Sequence, residues 1–334
     1  MRVGMIGTGA IAHKHAAAYR NIGFEMVACA GLHAERGRAF ADQYGCEFVA
    51  RWQDLCAHPR VDFVDVCTFP DFRLEAVEAC AGAGKPVQVQ KPMAIAPDVA
   101  RKMIDVARSA GIVLGVVSQH RFDDASLFLK KAIDQGRLGR LIEADAYVKW
   151  WRSDEYYARP VKGSWKVEGG GALMNQGIHQ VDLLLWFAGR VRAVAGEWQI
   201  GAAHRIESED VINAVMQYES GATGVIQAST AIRPGYPERI EIHGTGGSAI
   251  ITGDKLTSWD AEGDAPIESA VMSGASDPMA ISTRSFERQF RDFGAAIEEG
   301  RAPLVSGLDG LRAVELVDAI YRSAREARRV SIDG

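Results

Sequence analysis

The chain has 334 residues, of which 47% are hydrophobic and 24% charged, and its formal net charge is −5. This length and composition predict two globular domains. Because the balance is acidic and no Lys/Arg block is present, nucleic acid is not expected as a partner. No apolar run reaches the ~18 residues that a membrane span requires, so no membrane association is predicted.

The N-terminal residues enter a strand-like segment at once, without the charged start and cleavage site of a signal peptide, which predicts a cytoplasmic protein. The five cysteines lie in the first quarter of the chain, at Cys29, Cys46, Cys56, Cys67 and Cys80. Because their number is odd and no pair has Cys-x-x-Cys spacing, we interpret them as buried free thiols rather than disulfides or zinc ligands.

The first 120 residues alternate short apolar strands with helices. Strands are predicted at residues 3–6, 24–30, 61–67, 86–90 and 112–117, and helices at 10–21, 34–44, 71–83 and 97–110. Repeated β-α-β units with short connections predict an α/β domain with a parallel, doubly wound sheet. The segment 61–67 is a nearly continuous apolar run, as expected of a strand buried on both faces.

The pattern changes after residue 121. Helices are predicted at 124–135, 172–187, 286–299 and 308–327, and strands at 141–151, 193–200, 210–218, 221–231, 239–243 and 248–251. The consecutive strands predict an α+β domain with a large, mainly antiparallel open sheet. Residues 260–280 are predicted to form a surface loop. We place a dinucleotide-binding domain at 1–120 and a substrate-binding and oligomerisation domain at 121–334, with the last helix packing back on the first domain.

The predicted first strand ends in a glycine-rich turn, Gly7-Thr8-Gly9-Ala10-Ile11-Ala12. This is the dinucleotide fingerprint with alanine in place of the third glycine, at the start of a β-α-β series. The first glycine permits the tight turn, the second lets the backbone approach a pyrophosphate, and the helix N-terminus attracts negative charge. The turn therefore predicts a Rossmann domain that binds NAD or NADP through residues 7–11. The alternative is a plain glycine-containing turn.

The second half of the fingerprint is missing. An acidic residue that holds the ribose 2′-hydroxyl is expected ~20 residues further on. The sequence instead has Ala30-Gly31-Leu32-His33 at the end of the second strand. His33 and Arg36 suit a 2′-phosphate, or they are simply exposed residues at a helix start. NAD and NADP therefore both remain possible.

Three further segments, together with the glycine turn, resemble motifs of the glucose–fructose oxidoreductase/inositol dehydrogenase/MocA (Gfo/Idh/MocA) family. Gln90-Lys91-Pro92 resembles its Glu-Lys-Pro motif, and the Gln-His-Arg-Phe segment at 119–122 resembles its Arg-Phe segment at the domain crossover. Residues 169–182, which run from Gly-Gly-Gly to Asp182, resemble its Gly-Gly-Gly…Asp-x-x-x-His-x-x-Asp segment. The ending at 323–331 also fits, so the resemblance spans nearly the whole chain.

The resemblance implies hydride transfer between a nicotinamide and a sugar, cyclitol or related polyol. It also implies a C-terminal sheet that builds homodimers or homotetramers. The motif lysine corresponds to Lys91 and the motif histidine to His179. The family's Thr-Pro-Asn…His stretch is altered here to Thr-Phe-Pro-Asp-Phe-Arg at 68–73. Besides the glycine turn, cofactor contacts are expected from His33, Arg36, Thr68, Phe69, Gln90, Lys91 and Gln119.

Oxidation of a secondary alcohol requires a base for the hydroxyl proton and a donor or cation for the oxygen. Lys91 follows a buried strand, so it is predicted to project into the crevice at the carboxyl edge of the sheet. Without the resemblance, a surface lysine in a turn would be the simpler interpretation. His179 shares a helix face with Asn175, Asp182 and Trp186, and this polar stripe on an apolar helix predicts a site rather than one core histidine.

Two departures from the family motifs change this chemistry. Asn175 replaces the usual Asp, so it can orient His179 or a substrate hydroxyl but cannot act as a base. The proton is therefore assigned to His179 or Lys91, without a choice between them, and both are expected to converge on one substrate oxygen. Gln90 replaces the usual Glu, and the loss of a negative charge beside Lys91 predicts a lower pKa for Lys91.

The loop before the Gly-Gly-Gly motif is crowded with aromatic and arginine side chains. Aromatic rings stack on sugar rings, and arginine binds hydroxyls or acid groups. An equally open alternative is a packed subunit interface, because these residue types are enriched there. The predicted substrate contacts are Arg121, Trp151, Arg152, Tyr157, Trp165, Asn175 and His179.

No metal site is predicted. His13 and His15 have no ligand partners at useful spacing and are interpreted as solvated helix residues. The predicted function is a dehydrogenase or reductase of a sugar or cyclitol. One alternative is an NAD-dependent glycosidase that uses transient hydride transfer to cleave a glycosidic bond. Another is a catalytically inactive, dinucleotide-sensing regulator, but retention of Lys91 and His179 favours an enzyme.

Overall fold

The computed structural model describes residues 1–159, 161–269 and 282–332. These form two compact units. The first comprises Met1–Gln119 and Ser282–Leu311, and the second comprises the described residues of His120–Ile281 and Arg312–Gly334. The segment Ser282–Leu311, which falls in the predicted C-terminal domain, therefore belongs to the first unit. The assignment of substrate binding to residues after 121 remains a prediction.

The helices agree closely with the predicted pattern in the first unit. The first two have the predicted bounds to the residue. The described α-helices are α1 (Ala10–Asn21), α2 (Ala34–Tyr44), α3 (Trp52–Cys56), α4 (Arg73–Gly82), α5 (Pro97–Ser109), α6 (Asp124–Asp134), α7 (Asp154–Tyr157), α8 (Trp165–Glu168), α9 (Ile178–Ala188), α10 (Arg284–Glu299) and α11 (Gly307–Glu326). None of the helices in the described parts of the chain is long and apolar enough to cross a membrane.

The first unit contains a six-stranded sheet in which every strand is parallel to its neighbours. Its strands are β1 (Arg2–Ile6), β2 (Glu25–Ala30), β3 (Glu47–Phe48), β4 (Phe63–Val66), β5 (Val87–Val89) and β6 (Leu114–Val116). They lie in the order β3-β2-β1-β4-β5-β6. The strands β2 and β3 therefore extend the sheet on one side of β1, and β4, β5 and β6 extend it on the other. This is the order of a Rossmann sheet, and the predicted doubly wound architecture is confirmed. The short β3 and α3 are not among the predicted elements.

Aromatic packing holds α10 in the first unit. Phe286, Phe290 and Phe293 of this helix are almost completely buried. The Phe290 ring stacks on Tyr19 of α1 with centroids 4.3 Å apart. Burial of each phenylalanine contributes roughly 1.5–3 kcal/mol relative to exposure. This burial explains why the segment folds with the first unit although it follows the second unit in sequence.

The second unit contains an eight-stranded sheet. Its strands are β7 (Leu141–Lys149), β8 (Val191–Ile200), β9 (Glu209–Tyr218), β10 (Thr223–Ser229), β11 (Arg239–Gly244), β12 (Gly247–Thr252), β13 (Lys255–Asp260) and β14 (Val330–Ser331). They lie in the order β13-β12-β11-β7-β10-β9-β8-β14. Only β7 and β10 pair in parallel, and the other pairs are antiparallel. The predicted mainly antiparallel sheet is confirmed.

Two predicted segments of the second unit differ in the structure. The predicted helix 172–187 is divided into a π-helix at Ala172–Gly177 and the α-helix α9. The strand β13, which is not among the predicted elements, ends at Asp260, the first residue of the predicted 260–280 loop. Residues 261–269 of that loop contain no helix or strand. The remaining part, 270–280, lies outside the described residues. The π-helix and α9 pack on one face of the eight-stranded sheet, against β7, β9 and β10.

Candidate active site

The glycine turn between β1 and α1 has the geometry of an anion-binding loop. Gly7 has φ +99°, and a Cβ there would lie 2.9 Å from the backbone carbon of Cys67. Gly9 caps α1 in an extended conformation, and a Cβ on it would meet nothing within 4 Å. The first turn of α1 contains no acidic residue. The exposed helix start at Gly9 and Ala10 and its open approach therefore fit a pyrophosphate.

The end of β2 lies beside this turn. A Cβ on Gly31 would be 2.9 Å from the Thr8 hydroxyl oxygen, so Thr8 and the residues after β2 are close neighbours. His33 caps the start of α2, and both His33 and Arg36 are exposed. Their exposure suits contact with a ribose or its 2′-phosphate, and this role stays a prediction.

The Lys91 loop is fixed by the buried side chain of Arg73. Its Nη2 donates to the carbonyl oxygen of Thr68 at 2.6 Å and to that of Lys91 at 3.5 Å. Its Nη1 donates to the carbonyl oxygens of Gln90 and Pro92. Burial lowers the pKa of Arg73 to about 9, which still leaves it charged at neutral pH. Arg73 therefore joins two predicted cofactor segments, 68–69 and 90–91, at the carboxyl edge of the parallel sheet.

The prediction for the two histidines of α1 is wrong. His15 is completely buried, and its Nδ1 lies 2.7 Å from Oδ2 of Asp65 in β4. Its Nε2 lies 3.0 Å from Nε2 of Gln90. His13 is half-buried and bonds the Tyr44 hydroxyl at 3.1 Å. Helical periodicity alone does not show that α1 turns His15 towards a carboxylate in the middle of the sheet.

Cys67 completes a compact group with His15 and Asp65. Their ligand-type atoms lie within 4.8 Å of one another. These atoms already bond one another, with Cys67 Sγ 3.3 Å from His15 Nδ1 and 3.8 Å from Asp65 Oδ1. Burial raises the pKa of the Cys67 thiol, which keeps it protonated. We therefore interpret the group as a hydrogen-bonded cluster.

Gln119 ends the first unit at the start of a 3-10 turn, Gln119–Phe122. It is 2% exposed, and within residues 1–159, 161–269 and 282–332 its Oε1 accepts no hydrogen bond. A buried amide oxygen without a partner is costly. It is therefore available to a ligand, in keeping with its predicted contact to the cofactor.

His179 lies on α9 and is 8% exposed. Its ring is perpendicular to that of His120, with centroids 4.8 Å apart, and His120 Nδ1 lies 2.7 Å from Asp123 Oδ2. The predicted catalytic imidazole is thus next to a second histidine that is itself held by a carboxylate. The His120 contact carries no signal in the sequence beyond its place in the Arg-Phe segment.

Arg121 forms a buried ion pair with Asp182 of α9. The Arg121 Nε and Nη2 atoms donate to the two carboxylate oxygens at 2.8 and 2.6 Å. Its guanidinium also lies over the Trp186 ring, 5.4 Å from the centroid. Three of the four predicted stripe residues, His179, Asp182 and Trp186, therefore contact the segment 120–121. This pairing gives Arg121 a role in holding α9, whereas its predicted substrate contact remains untested.

Asn175 differs from the other three stripe residues because it lies in the π-helix and not in α9. Its Nδ2 donates to Glu168 Oε1 at 2.6 Å. Glu168 is buried, accepts from the Gly163 N–H at 2.8 Å and pairs with Lys162. Burial acts to lower the pKa of Lys162, but Tyr156 and Glu168 more than offset it, so the pKa is raised. The i, i+4 alignment predicted for Asn175 and His179 assumes 3.6 residues per turn, which the wider π-helix does not have.

The predicted substrate-binding aromatics divide between separate clusters. Trp151 and Tyr157 lie against the His204 ring, at centroid distances of 5.1 and 4.6 Å. Trp165 instead packs with Trp198 and Tyr321, at 5.7 and 5.1 Å. These contacts do not bring all the aromatics to one point, and their role with substrate stays a prediction.

Arg152 connects the loop before the Gly-Gly-Gly motif to the π-helix. Its Nη2 donates to Gln176 Oε1 at 3.1 Å, and Gln176 Nε2 donates to the Tyr156 hydroxyl at 2.9 Å. The Arg152 guanidinium also lies over the Trp150 ring, 4.8 Å from the centroid. Arg152 is therefore held by Gln176, the residue that follows Asn175 in the chain. Gln176 is not among the predicted site residues.

Glu209 is a further residue that the predictions lack. Its carboxylate accepts from the N–H groups of Gly171 and Leu173 at 2.9 and 2.8 Å and from the Tyr321 hydroxyl at 2.7 Å. A side chain at Gly171 would collide with the Glu209 carbonyl oxygen, which explains the small residue. Burial raises the pKa of Glu209 to about 7. Glu209 thus caps the segment that carries Asn175 and leads into α9.

Comparisons with known proteins cover both units. The protein-family model "Oxidoreductase family, NAD-binding Rossmann fold" matches residues 1–118. The protein-family model "GFO/IDH/MocA C-terminal domain" matches residues 127–250. The chain is 30% identical to inositol 2-dehydrogenase of Rhizobium meliloti (strain 1021), over 99% of both chains. It is 29% identical to 1,5-anhydro-D-fructose reductase of Ensifer adhaerens, over 99% of this chain and 98% of the relative.

A solved structure gives the same result. The WlbA dehydrogenase from Bordetella pertussis, in complex with NADH and UDP-GlcNAcA, aligns with a TM-score of 0.90 and 28% identity, over 100% of this chain and 98% of that one. The parallel sheet, the open glycine turn and these matches define an NAD(P)-dependent dehydrogenase or reductase that acts on CH–OH groups. The chain belongs to the Gfo/Idh/MocA oxidoreductase family, as its motifs predict, and this family includes dehydrogenases and reductases of sugars and polyols.

Proposed function

We propose that this chain transfers a hydride between NAD or NADP and a secondary alcohol or ketone of a sugar, cyclitol or related polyol. The observation that carries the proposal is the position of Lys91 at the carboxyl edge of the same parallel sheet as the open Gly7–Ala10 turn. Ligands of open α/β sheets bind at that edge. The names of the relatives, which include an inositol dehydrogenase and an anhydrofructose reductase, support the substrate class.

The roles of the residues follow from their chemistry. When bound, the nicotinamide accepts or supplies the hydride. Lys91 and His179 are the candidates to hold or move the proton at the substrate oxygen, because an ammonium and an imidazole both exchange protons near neutral pH when their environment permits. Asn175 cannot exchange a proton, and its bond to Glu168 suits it to orient a hydroxyl.

A substrate panel tests this proposal. Inositols, aldoses, uronic acids, anhydro sugars and glycosides are each offered with NAD⁺ and with NADP⁺. The absorbance of the reduced nicotinamide is followed, and the products are separated by chromatography. We expect net cofactor reduction with at least one compound. Substrate cleavage without net reduction would favour the glycosidase alternative. Dinucleotide binding without turnover of any compound would favour a regulator.

We also propose a homodimer or homotetramer through the outer face of the eight-stranded sheet. Val215, in the middle of β9, is 57% exposed and lies between Ala195 of β8 and Val225 of β10. An exposed apolar row on a sheet face is typical of an interface. Sedimentation of wild type should give a dimer or tetramer, and Val215→Lys should shift it towards monomer, whereas Leu308→Lys at another exposed apolar position should not. A monomeric wild type would refute the proposal.

A further inference from the structure

Buried polar side chains connect the interior of the parallel sheet to the Lys91 loop. His15 and Asp65 are both completely buried, and their side chains bond at 2.7 Å. Gln90 is 6% exposed and lies between His15 and the Lys91 main chain. Its Nε2 is 3.0 Å from His15 Nε2, and its Oε1 accepts the Lys91 N–H at 2.7 Å. The chain of contacts therefore runs Asp65–His15–Gln90–Lys91.

The hydrogen-bond donors in this chain can be assigned. The Lys91 N–H is a donor, so it must face the amide oxygen of Gln90 and not its NH₂ group. The Gln90 NH₂ group then faces His15, and two donors cannot bond each other. His15 Nε2 is therefore the unprotonated acceptor, and the proton lies on Nδ1, where it is donated to Asp65. Only this neutral tautomer satisfies every group.

The surroundings of His15 support the same assignment. Asp65 also accepts from the Tyr19 hydroxyl at 2.9 Å, so its carboxylate is stabilised by two strong donors. The Cys67 thiol lies 3.3 Å from His15 Nδ1, and the rings of Phe286 and Phe290 cover the imidazole at 5.1 and 4.9 Å. Arg73 carries a positive charge nearby and interacts electrostatically with Asp65 and Cys67.

We propose that Asp65 and His15 are positioning residues for Lys91: Asp65 fixes one tautomer of His15, and His15 holds the Gln90 amide that anchors the Lys91 main chain. Arg73 fixes the carbonyl side of the same loop through Gln90, Lys91 and Pro92. The catalytic importance of this relay rests on the proposed function of Lys91. The tautomer of His15 does not depend on that function.

The relay also explains how glutamine can stand at position 90. A glutamate there would present an oxygen to both the Lys91 N–H and His15 Nε2. One further proton would then have to lie between the two groups, on an imidazolium beside an ionised glutamate or on a glutamic acid beside a neutral imidazole. The three groups Asp65, His15 and residue 90 would keep a net charge of about −1 in either case. The effect of residue 90 on the pKa of Lys91 is therefore smaller than the effect of one isolated charge.

Nitrogen-15 imidazole spectra of the full chain at neutral pH test the relay without any substrate. In wild type, His15 should show a protonated Nδ1 and an unprotonated Nε2. In Gln90→Leu, His15 Nε2 loses its hydrogen-bond donor and its nitrogen-15 shift should move, whereas the His13 shifts should be unchanged. A protonated Nε2 in wild type, or an unchanged Nε2 shift in Gln90→Leu, would overturn the proposal.

Kinetics with a substrate from the panel test the positioning role. His15→Leu should lower kcat by about 10- to 100-fold, the range seen when a group that orients a metal ligand is removed, while dinucleotide binding is still detected. His13→Leu, on the same helix, is the matched control and should retain kcat. Gln90→Leu, which removes the contacts to both His15 and the Lys91 N–H, should lower kcat as well. Equal kcat in His15→Leu and His13→Leu would refute positioning, and if no substrate turns over, the spectra still decide the tautomer.

Discussion

Replacing Lys91 by methionine should lower kcat by about 10²–10⁴-fold, the range that a positioned acid or base contributes. Methionine keeps the length and apolar stem of lysine but removes the ammonium group. The loop itself should remain in place, because Arg73 and Gln90 bind its main chain and not the Lys91 side chain. Titration should therefore still show dinucleotide binding, and any change in its Kd measures the cofactor contact predicted for Lys91 separately from the fall in turnover.

Lys85→Met is the matched control for this variant. Lys85 lies just before β5, at the opposite end of the strand from Lys91, and donates to the Val61 carbonyl oxygen at 2.6 Å. Its replacement removes a positive charge from the other end of β5, away from the carboxyl edge of the sheet, so kcat should be retained. If Lys91→Met were no slower than Lys85→Met, Lys91 would have no part in the chemistry.

Lys91→Arg separates two roles for the ammonium. Arginine keeps the positive charge but does not lose its proton in proteins. If Lys91 takes the substrate proton, Lys91→Arg should be as slow as Lys91→Met. If the charge only stabilises the substrate oxygen and His179 takes the proton, Lys91→Arg should recover part of the rate, and His179→Gln should be the slower variant.

The fold of the first unit follows from local patterns in the sequence. The helices α1 and α2 have the predicted bounds because glycines and short polar segments end each apolar period. The parallel sheet follows from the alternation of strands and helices. The strands β3 and β14 could not be predicted from hydrophobic periodicity, because each has two residues and shows no period.

The interior hydrogen bonds of the site could be predicted only in part. Asp65 interrupts the apolar run 61–67, and a carboxylate in a buried strand requires a donor. That signal was present, but it does not name His15, which is 50 residues away in the chain. The partner of a buried charge is set by tertiary packing, which a single sequence does not contain.

The helix after the Gly-Gly-Gly motif shows a different limit. Its apolar residues predict a helix correctly, and the direction of His179, Asp182 and Trp186 is consistent because all three lie in regular α-helix. Asn175 lies in the π-helix before it and bonds Glu168. Side-chain propensities do not distinguish a π-turn from an α-turn, so the phase of residues across the junction was not predictable.

Glu209 should make the free energy of unfolding depend on pH. Its carboxyl has a pKa of about 7 in the folded chain against an ordinary value of 4.5. Between these values the folded chain binds a proton that the unfolded chain has released. Stability is therefore fully present below about pH 4.5 and falls as pH rises through about 7, by about 3 kcal/mol in total.

Glu209→Gln removes this titration, because an amide stays neutral. Its destabilisation relative to wild type should therefore become smaller by about 2–3 kcal/mol between about pH 5 and about pH 8, as followed by urea unfolding. Glu207→Gln, at an exposed position two residues away, is the matched control for the loss of a carboxylate from the same segment. The Gly171 and Leu173 N–H groups and the Tyr321 hydroxyl all favour the carboxylate, so they oppose the effect of burial. Parallel pH curves for wild type and Glu209→Gln would mean that these three donors fully offset burial, and that Glu209 caps the Asn175 segment as an ordinary ionised carboxylate.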